Sequence, residues 1–172
     1  ILNFYYTRTV TSGGCSDNSL PVQFTVNPYP VLNSALTVNA CNNVALSYTP
    51  TSTVTGTTYA WNRAVVAGIT NAANSGTAGI TETLVNTTDQ PIDVTYIYSL
   101  TANGCENPTT YSVVVKVNPT AVLSSTLSAP DQCNAQPFSY TPTSTTTGVT
   151  FAWDRTAITG INAGVAGSGT NG

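Results

Sequence analysis

SYTPTSTVTGTTYAW, residues 47–61, returns as SYTPTSTTTGVTFAW, residues 139–153. The two copies differ only at Val54/Thr146, Thr57/Val149 and Tyr59/Phe151. Working outward, Cys41 matches Cys133, and AWNRAVVAGI (60–69) matches AWDRTAITGI (152–161). NSGTAG (74–79) matches GSGTNG (167–172) after one inserted residue. On the other side, YTRTVTSGGC (6–15) matches YIYSLTANGC (96–105), and FTVNPYPVL (24–32) matches VKVNPTAVL (115–123). These offsets run from 90 (Cys15 to Cys105) to 93 (Gly79 to Gly172), the mark of an array of like units. Residues 30–119 are read as one whole repeat, 1–29 as the tail of a preceding one, and 120–172 as the head of a following one.

Within a repeat the apolar period is two. YSVVVKV sets Tyr111, Val113, Val115 and Val117 on one face, and the tail sets Leu20, Val22, Phe24 and Val26 there. VTYIYSL aligns Val94, Tyr96, Tyr98 and Leu100, and VALSYTP aligns Val44, Leu46 and Tyr48. Such runs are half-buried strands, rich in β-branched and aromatic residues. Asn-Gly at 103–104, Thr-Gly at 55–56 and Asn-Pro at 27–28, 107–108 and 118–119 punctuate them as turns. Strands are expected near 31–38, 44–50, 57–64, 65–69, 80–86, 92–102 and 110–118. About seven short strands per unit predict an all-β fold of tandem immunoglobulin-like sandwiches. Trp61 and Trp153 fall on the third strand and are read as core aromatics rather than sugar-stacking platforms.

Composition narrows the function. Of 172 residues only 6% are charged, against roughly 25% in an average domain, while 41% are apolar. A net charge of −3 gives no basic patch for nucleic acid and no polybasic membrane anchor. No apolar run approaches the roughly 20 residues of a membrane-spanning helix. Without histidine, neither a Ser-His-Asp nor a Cys-His catalytic arrangement can be assembled from this chain. Asp17, Glu82, Asp89, Asp93, Glu106, Asp131 and Asp154 are scattered singly, so neither catalysis nor a bound metal or cofactor is expected; calcium at loop acids is the residual metal reading. Trp-x-Arg recurs with Arg63 and Arg155, which suit stacking on an aromatic ring or pairing with a carboxylate. Lys116 has Thr25 as its counterpart, so a lysine isopeptide crosslink is not a property of the repeat. NTT at 86–88 is a formal glycosylation sequon.

The segments CNNVALSYTPTSTVTGTTYAWNRA, NTTDQPIDVTYIYSLTANGC and VVVKVNP resemble the PKD-like, immunoglobulin-like repeats of giant surface adhesins of Bacteroidota. The resemblance covers essentially the whole chain. It implies extracellular stalks of many tandem sandwiches, exported by the type IX secretion system and in some members serving gliding motility. The function expected is that of a non-catalytic segment of an adhesin stalk or surface filament, with neighbouring repeats or copies of itself as partners. The alternatives are a glycan- or ligand-binding module of a secreted multidomain protein, and a filament subunit that exchanges strands with its neighbours.

Cys15, Cys41, Cys105 and Cys133 contain no C-x-x-C pair, and an oxidising, extracytoplasmic setting with all four in disulfides is expected. In an immunoglobulin-like sandwich Cys41 and Cys105 fall at opposite poles. A bond between neighbouring repeats and a bond within one repeat of different topology both stay open. The chain opens directly on ILNFYYTRTV, itself strand-like, and reads as part of something longer. Ile1 aligns with Pro91 and Gly172 with Gly79, so the head of one copy is expected to be completed by the tail of the next.

Overall fold

A computed structural model describes residues 1–129, 131–160 and 166–170. Residue 161 and residues 171–172, which close two of the repeat matches, lie outside them. Fourteen strands are assigned among the described residues, and no helix long and apolar enough to cross a membrane occurs there.

Residues 1–29 form two short ribbons. β1 (Leu2–Tyr6) pairs antiparallel with β4 (Val22–Val26), and β2 (Thr9–Ser12) with β3 (Cys15–Asn18). The central unit then carries β5 (Thr37–Cys41), β6 (Ala45–Tyr48), β7 (Thr58–Arg63), β8 (Asn74–Thr77) and β9 (Ile80–Thr83). β10 (Ile92–Ala102), β11 (Cys105–Glu106) and β12 (Tyr111–Asn118) complete it. β13 (Ala152–Arg155) and β14 (Gly167–Thr170) pair with each other in the last segment.

The central unit is a sandwich of two sheets. One runs β5-β12-β10-β7-β8, with β11 added to β10; the other is β6-β9. Its pairings are antiparallel except β5 on β12, which is parallel. That exception is what lets the chain enter and leave on neighbouring strands of one sheet. The period-two faces read from the sequence form the core: Val94, Tyr96, Tyr98, Leu100, Val113, Val115 and Val117 are fully buried. Trp61 joins them from β7 of the same sheet, and Leu32, Leu46, Tyr48, Ile69, Ile80 and Leu84 complete the cluster. A chain so poor in charge stays folded because these side chains are covered on both faces, each contributing about 1.5–3 kcal/mol on burial.

Two expected strands are placed differently. Residues 65–69 form no strand; only Ile69 makes an isolated bridge, to Asn86, and the strand beside β7 is Asn74–Thr77. The first strand begins at Thr37, with Leu32 bridging separately to Ser52. In both places the apolar pattern marks residues that reach the core from a loop.

The flanking segments repeat the same grammar. Leu2↔Val26, Phe4↔Phe24 and Tyr6↔Val22 are register partners. Their counterparts Ile92↔Val117, Val94↔Val115 and Tyr96↔Val113 pair identically in β10 and β12. What differs is cover: Phe24 is 55% exposed where Val115 is fully buried.

Candidate functional site: a buried charge network and two poles

No three Cys, Asp or Glu side chains come together as a metal site among the described residues. The only buried charge-bearing constellation they show is built around Arg63, which is 2% exposed. Arg63 stands at the end of β7 in the large sheet, and Glu82 lies on β9 in the small one. The guanidinium donates to both carboxylate oxygens, Nε to Oε2 and Nη2 to Oε1, each at 3.0 Å. It also donates to the carbonyls of Ala72 at 2.7 Å and Ala64 at 3.2 Å. Asn74 Nδ2 donates to Glu82 Oε1 at 2.8 Å, and the Tyr96 hydroxyl donates to Oε2. Arg63 Cζ lies 5.9 Å from the centre of the Tyr96 ring. Both roles expected for this arginine, carboxylate pairing and stacking, therefore meet in one residue.

Burial alone would push the Glu82 carboxyl up; the hydrogen bonds from Arg63, Tyr96 and Asn74 outweigh it and hold the carboxyl below its ordinary value. Burial and the bond to Glu82 push the Tyr96 hydroxyl up. Both Glu82 oxygens accept two hydrogen bonds each, and no buried side-chain nitrogen or oxygen among the described residues lacks a partner. A network so fully hydrogen-bonded acts as a brace between sheets.

Trp61 completes the brace. It is 7% exposed, meets Tyr96 edge-on at 5.3 Å, and donates from Nε1 to the Gly79 carbonyl at 3.3 Å. Trp153 sits in the same local pairing, opposite Gly169 as Trp61 is opposite Gly76, yet is 47% exposed. It lines an open hollow with Leu123, Phe138, Tyr140 and Phe151. Leu32, Leu46, Tyr48 and Tyr59 are their counterparts in the central repeat, where all but the half-buried Tyr59 belong to the buried core. The hollow is thus lined by the counterparts of residues that build or flank the core of the central unit. Lys116 pairs at the surface with Asp93 at 2.9 Å, its register partner on β10. The sequon residue Asn86 is buried: its Nδ2 donates to Gln90 O and Val117 O at 2.8 and 3.0 Å. That amide is a structural tie across the end of the sandwich.

The poles carry the cysteines. Cys41 ends β5 beside Asn118, where the chain leaves the unit. There Asn42 Nδ2 donates to Thr120 Oγ1 at 3.0 Å, and Thr147 Oγ1, from the following segment, to Gln90 Oε1 at 3.0 Å. Cys105 follows β10 at the other pole, next to the entering chain: Asn107 Nδ2 donates to Pro30 O at 2.8 Å and Asn27 Nδ2 to Asn103 O at 3.5 Å. The ten residue steps of β10 between the two ends correspond to roughly 33 Å, so Cys41 and Cys105 of one unit are out of disulfide reach. Cys15 and Cys133 are exposed, and all four thiols are free in the single chain.

Sequence reading singled out the arginine and the tryptophan, but it took Glu82 only as one of the scattered acids and Asn86 only as a sequon, and did not single out Asn74. The repeat alignment does not extend over 80–90, it sets Asn74 against a glycine, and nothing in a sequence marks two residues that meet from different sheets. No curated protein matches the chain in sequence. Over the central sandwich, residues 38–121 match the family model of the PKD-like domain, a type of immunoglobulin-like module typical of extracellular proteins and generally non-catalytic.

Proposed function

We propose that the chain is a structural segment of an extracellular stalk or filament, each sandwich a rigid spacer stacked end to end on the next. The observation that carries this reading is the placement of chain entry and exit at opposite poles, each in hydrogen-bond contact with the adjoining segment. A repeat whose core is closed by its own strands and whose poles meet its neighbours makes length proportional to repeat number. Residues 1–29 and 120–172 carry the last and first strands of adjoining repeats. Complementary strands, from the same polypeptide or another copy, cover their apolar faces. The resemblance to type IX-secreted adhesins of Bacteroidota supports a stalk on a cell surface, of the gliding-motility type of adhesin.

Small-angle X-ray scattering on chains carrying two, three and four successive copies of residues 30–120 tests this. The maximum dimension should grow by a constant increment of roughly 35–40 Å per copy, the length of β10 plus its turns. A radius that grows as for independently tumbling beads would overturn the reading.

A further inference from the structure

We infer that consecutive repeats are stapled by a disulfide between Cys41 of one repeat and Cys105 of the next. The inference rests on the stacked-array reading above and adds a covalent link to it.

The junction between the first segment and the central repeat shows how the two sulfurs approach. Cys41 and Asn118 are register partners on the parallel strands β5 and β12. Asn27 is the counterpart of Asn118, since FTVNP (24–28) aligns with VKVNP (115–119). In the repeat that residues 1–29 complete, the counterpart of Cys41 therefore lies one strand spacing, about 4.8 Å, from Asn27. The Asn27 side chain in turn reaches the Asn103 carbonyl of the central repeat at 3.5 Å. The Cys105 thiol contacts that same carbonyl at 3.9 Å. One side-chain contact between repeats thus has a cysteine position on either flank.

The geometry of the turn favours closure. Asn103 and Gly104 both take positive φ, at 50° and 76°, and nothing lies within 4 Å of a Cβ built on Gly104. Residues 103–105 therefore have room to move toward the Cα separation of about 4.4–6.8 Å that a disulfide requires. Within one repeat the same two cysteines stand at opposite poles, so the inter-repeat bond has no in-repeat competitor. With one Cys41 and one Cys105 per repeat, every internal repeat gives one sulfur upward and one downward.

Formation needs an oxidant, here a small-molecule disulfide. The Cys41 thiolate attacks glutathione disulfide and releases one glutathione. The Cys105 thiolate of the next repeat attacks the mixed disulfide and releases the second. Two thiols are oxidised to one disulfide, one glutathione disulfide is reduced to two glutathiones, and the two thiol protons end on those products.

The test uses one chain carrying residues 30–120 twice in succession. The part is justified because every residue of the closed core lies between Leu32 and Val117. After equilibration with glutathione disulfide, non-reducing peptide mapping should find one crosslink, from Cys41 of the first copy to Cys105 of the second. The other two thiols should be alkylated. Cys41→Ser in the first copy should abolish the crosslink, and Cys41→Ser in the second should leave it. A bond within one copy, or four alkylated thiols, overturns the staple. Scattering on the same sample separates the two readings. An elongated but unlinked pair defeats the staple and spares the array, whereas independent tumbling defeats the array.

Discussion

Arg63 and Glu82 meet at 3.0 Å from opposite sheets, with their side chains 1% and 10% exposed. Two backbone carbonyls, an asparagine and a tyrosine supply further bonds, so the pair is desolvated and densely hydrogen-bonded at once. Removing one member of such a pair costs more than the pair itself is worth, because the other charge stays buried.

Glu82→Ala should therefore lower unfolding free energy by about 3–5 kcal/mol, measured by urea denaturation. Replacing the group together, Arg63→Leu with Glu82→Leu and Tyr96→Phe, should recover most of that loss. A cost below about 1 kcal/mol for Glu82→Ala, the value of an exposed ion pair, would show that the brace is not functioning as such.

Stability should fall at both ends of the pH scale, for opposite reasons. Hydrogen bonds from Arg63, Tyr96 and Asn74, overcoming burial, hold Glu82 below the ordinary carboxyl value. Its folded state binds fewer protons than its unfolded state. The contribution is complete above about pH 5 and is lost as pH falls through 4 and below. Burial pushes Tyr96 and Tyr98 up, and the bond to Glu82 pushes Tyr96 further. Unfolded tyrosines ionise near pH 10 while the folded ones keep their protons, so stability is full below about pH 10 and falls as pH rises beyond it. Urea midpoints across that range should form a plateau with two falling limbs. Glu82→Gln should flatten the acid limb and Tyr98→Phe should shrink the alkaline one. Limbs unchanged by both substitutions would assign the titrations elsewhere.

The sequence disclosed what recurs locally and concealed what is made across space. Val94, Tyr96, Tyr98 and Leu100 alternate along one strand, and the same face of β12 alternates beside it, so the core was legible from period two. Val44 fits that alternation and is nonetheless exposed, because it stands in the turn before β6. The strand Asn74–Thr77 has no apolar alternation at all; it pairs with β7 because Gly76 lets it lie against a tryptophan. Residues 65–69 look like a strand because Val66 and Ile69 reach the core from a loop. The partnership of Arg63 with Glu82 spans 19 residues and two sheets, beyond the reach of either periodicity or the repeat comparison.

Gly76 and Gly169 explain why the glycine of NSGT and GSGT recurs, and they supply the last prediction. A Cβ on Gly76 would stand 2.7 Å from Cζ2 of Trp61, and one on Gly169 would stand 2.8 Å from Nε1 of Trp153. Neither is a turn glycine; each is the floor on which an indole lies. Trp61 cannot retreat, since Tyr96 braces its ring from the other side at 5.3 Å. Gly76→Ala must therefore push β8 away from β7, and should cost about 1–3 kcal/mol by urea denaturation, with a changed near-ultraviolet circular dichroism. In a Trp61→Phe background, where the six-membered indole ring is gone, the same substitution should cost little, giving a coupling energy of about 1–2 kcal/mol between the two positions. An equal cost in both backgrounds would mean that the glycine serves the backbone of β8 and not the packing of the tryptophan.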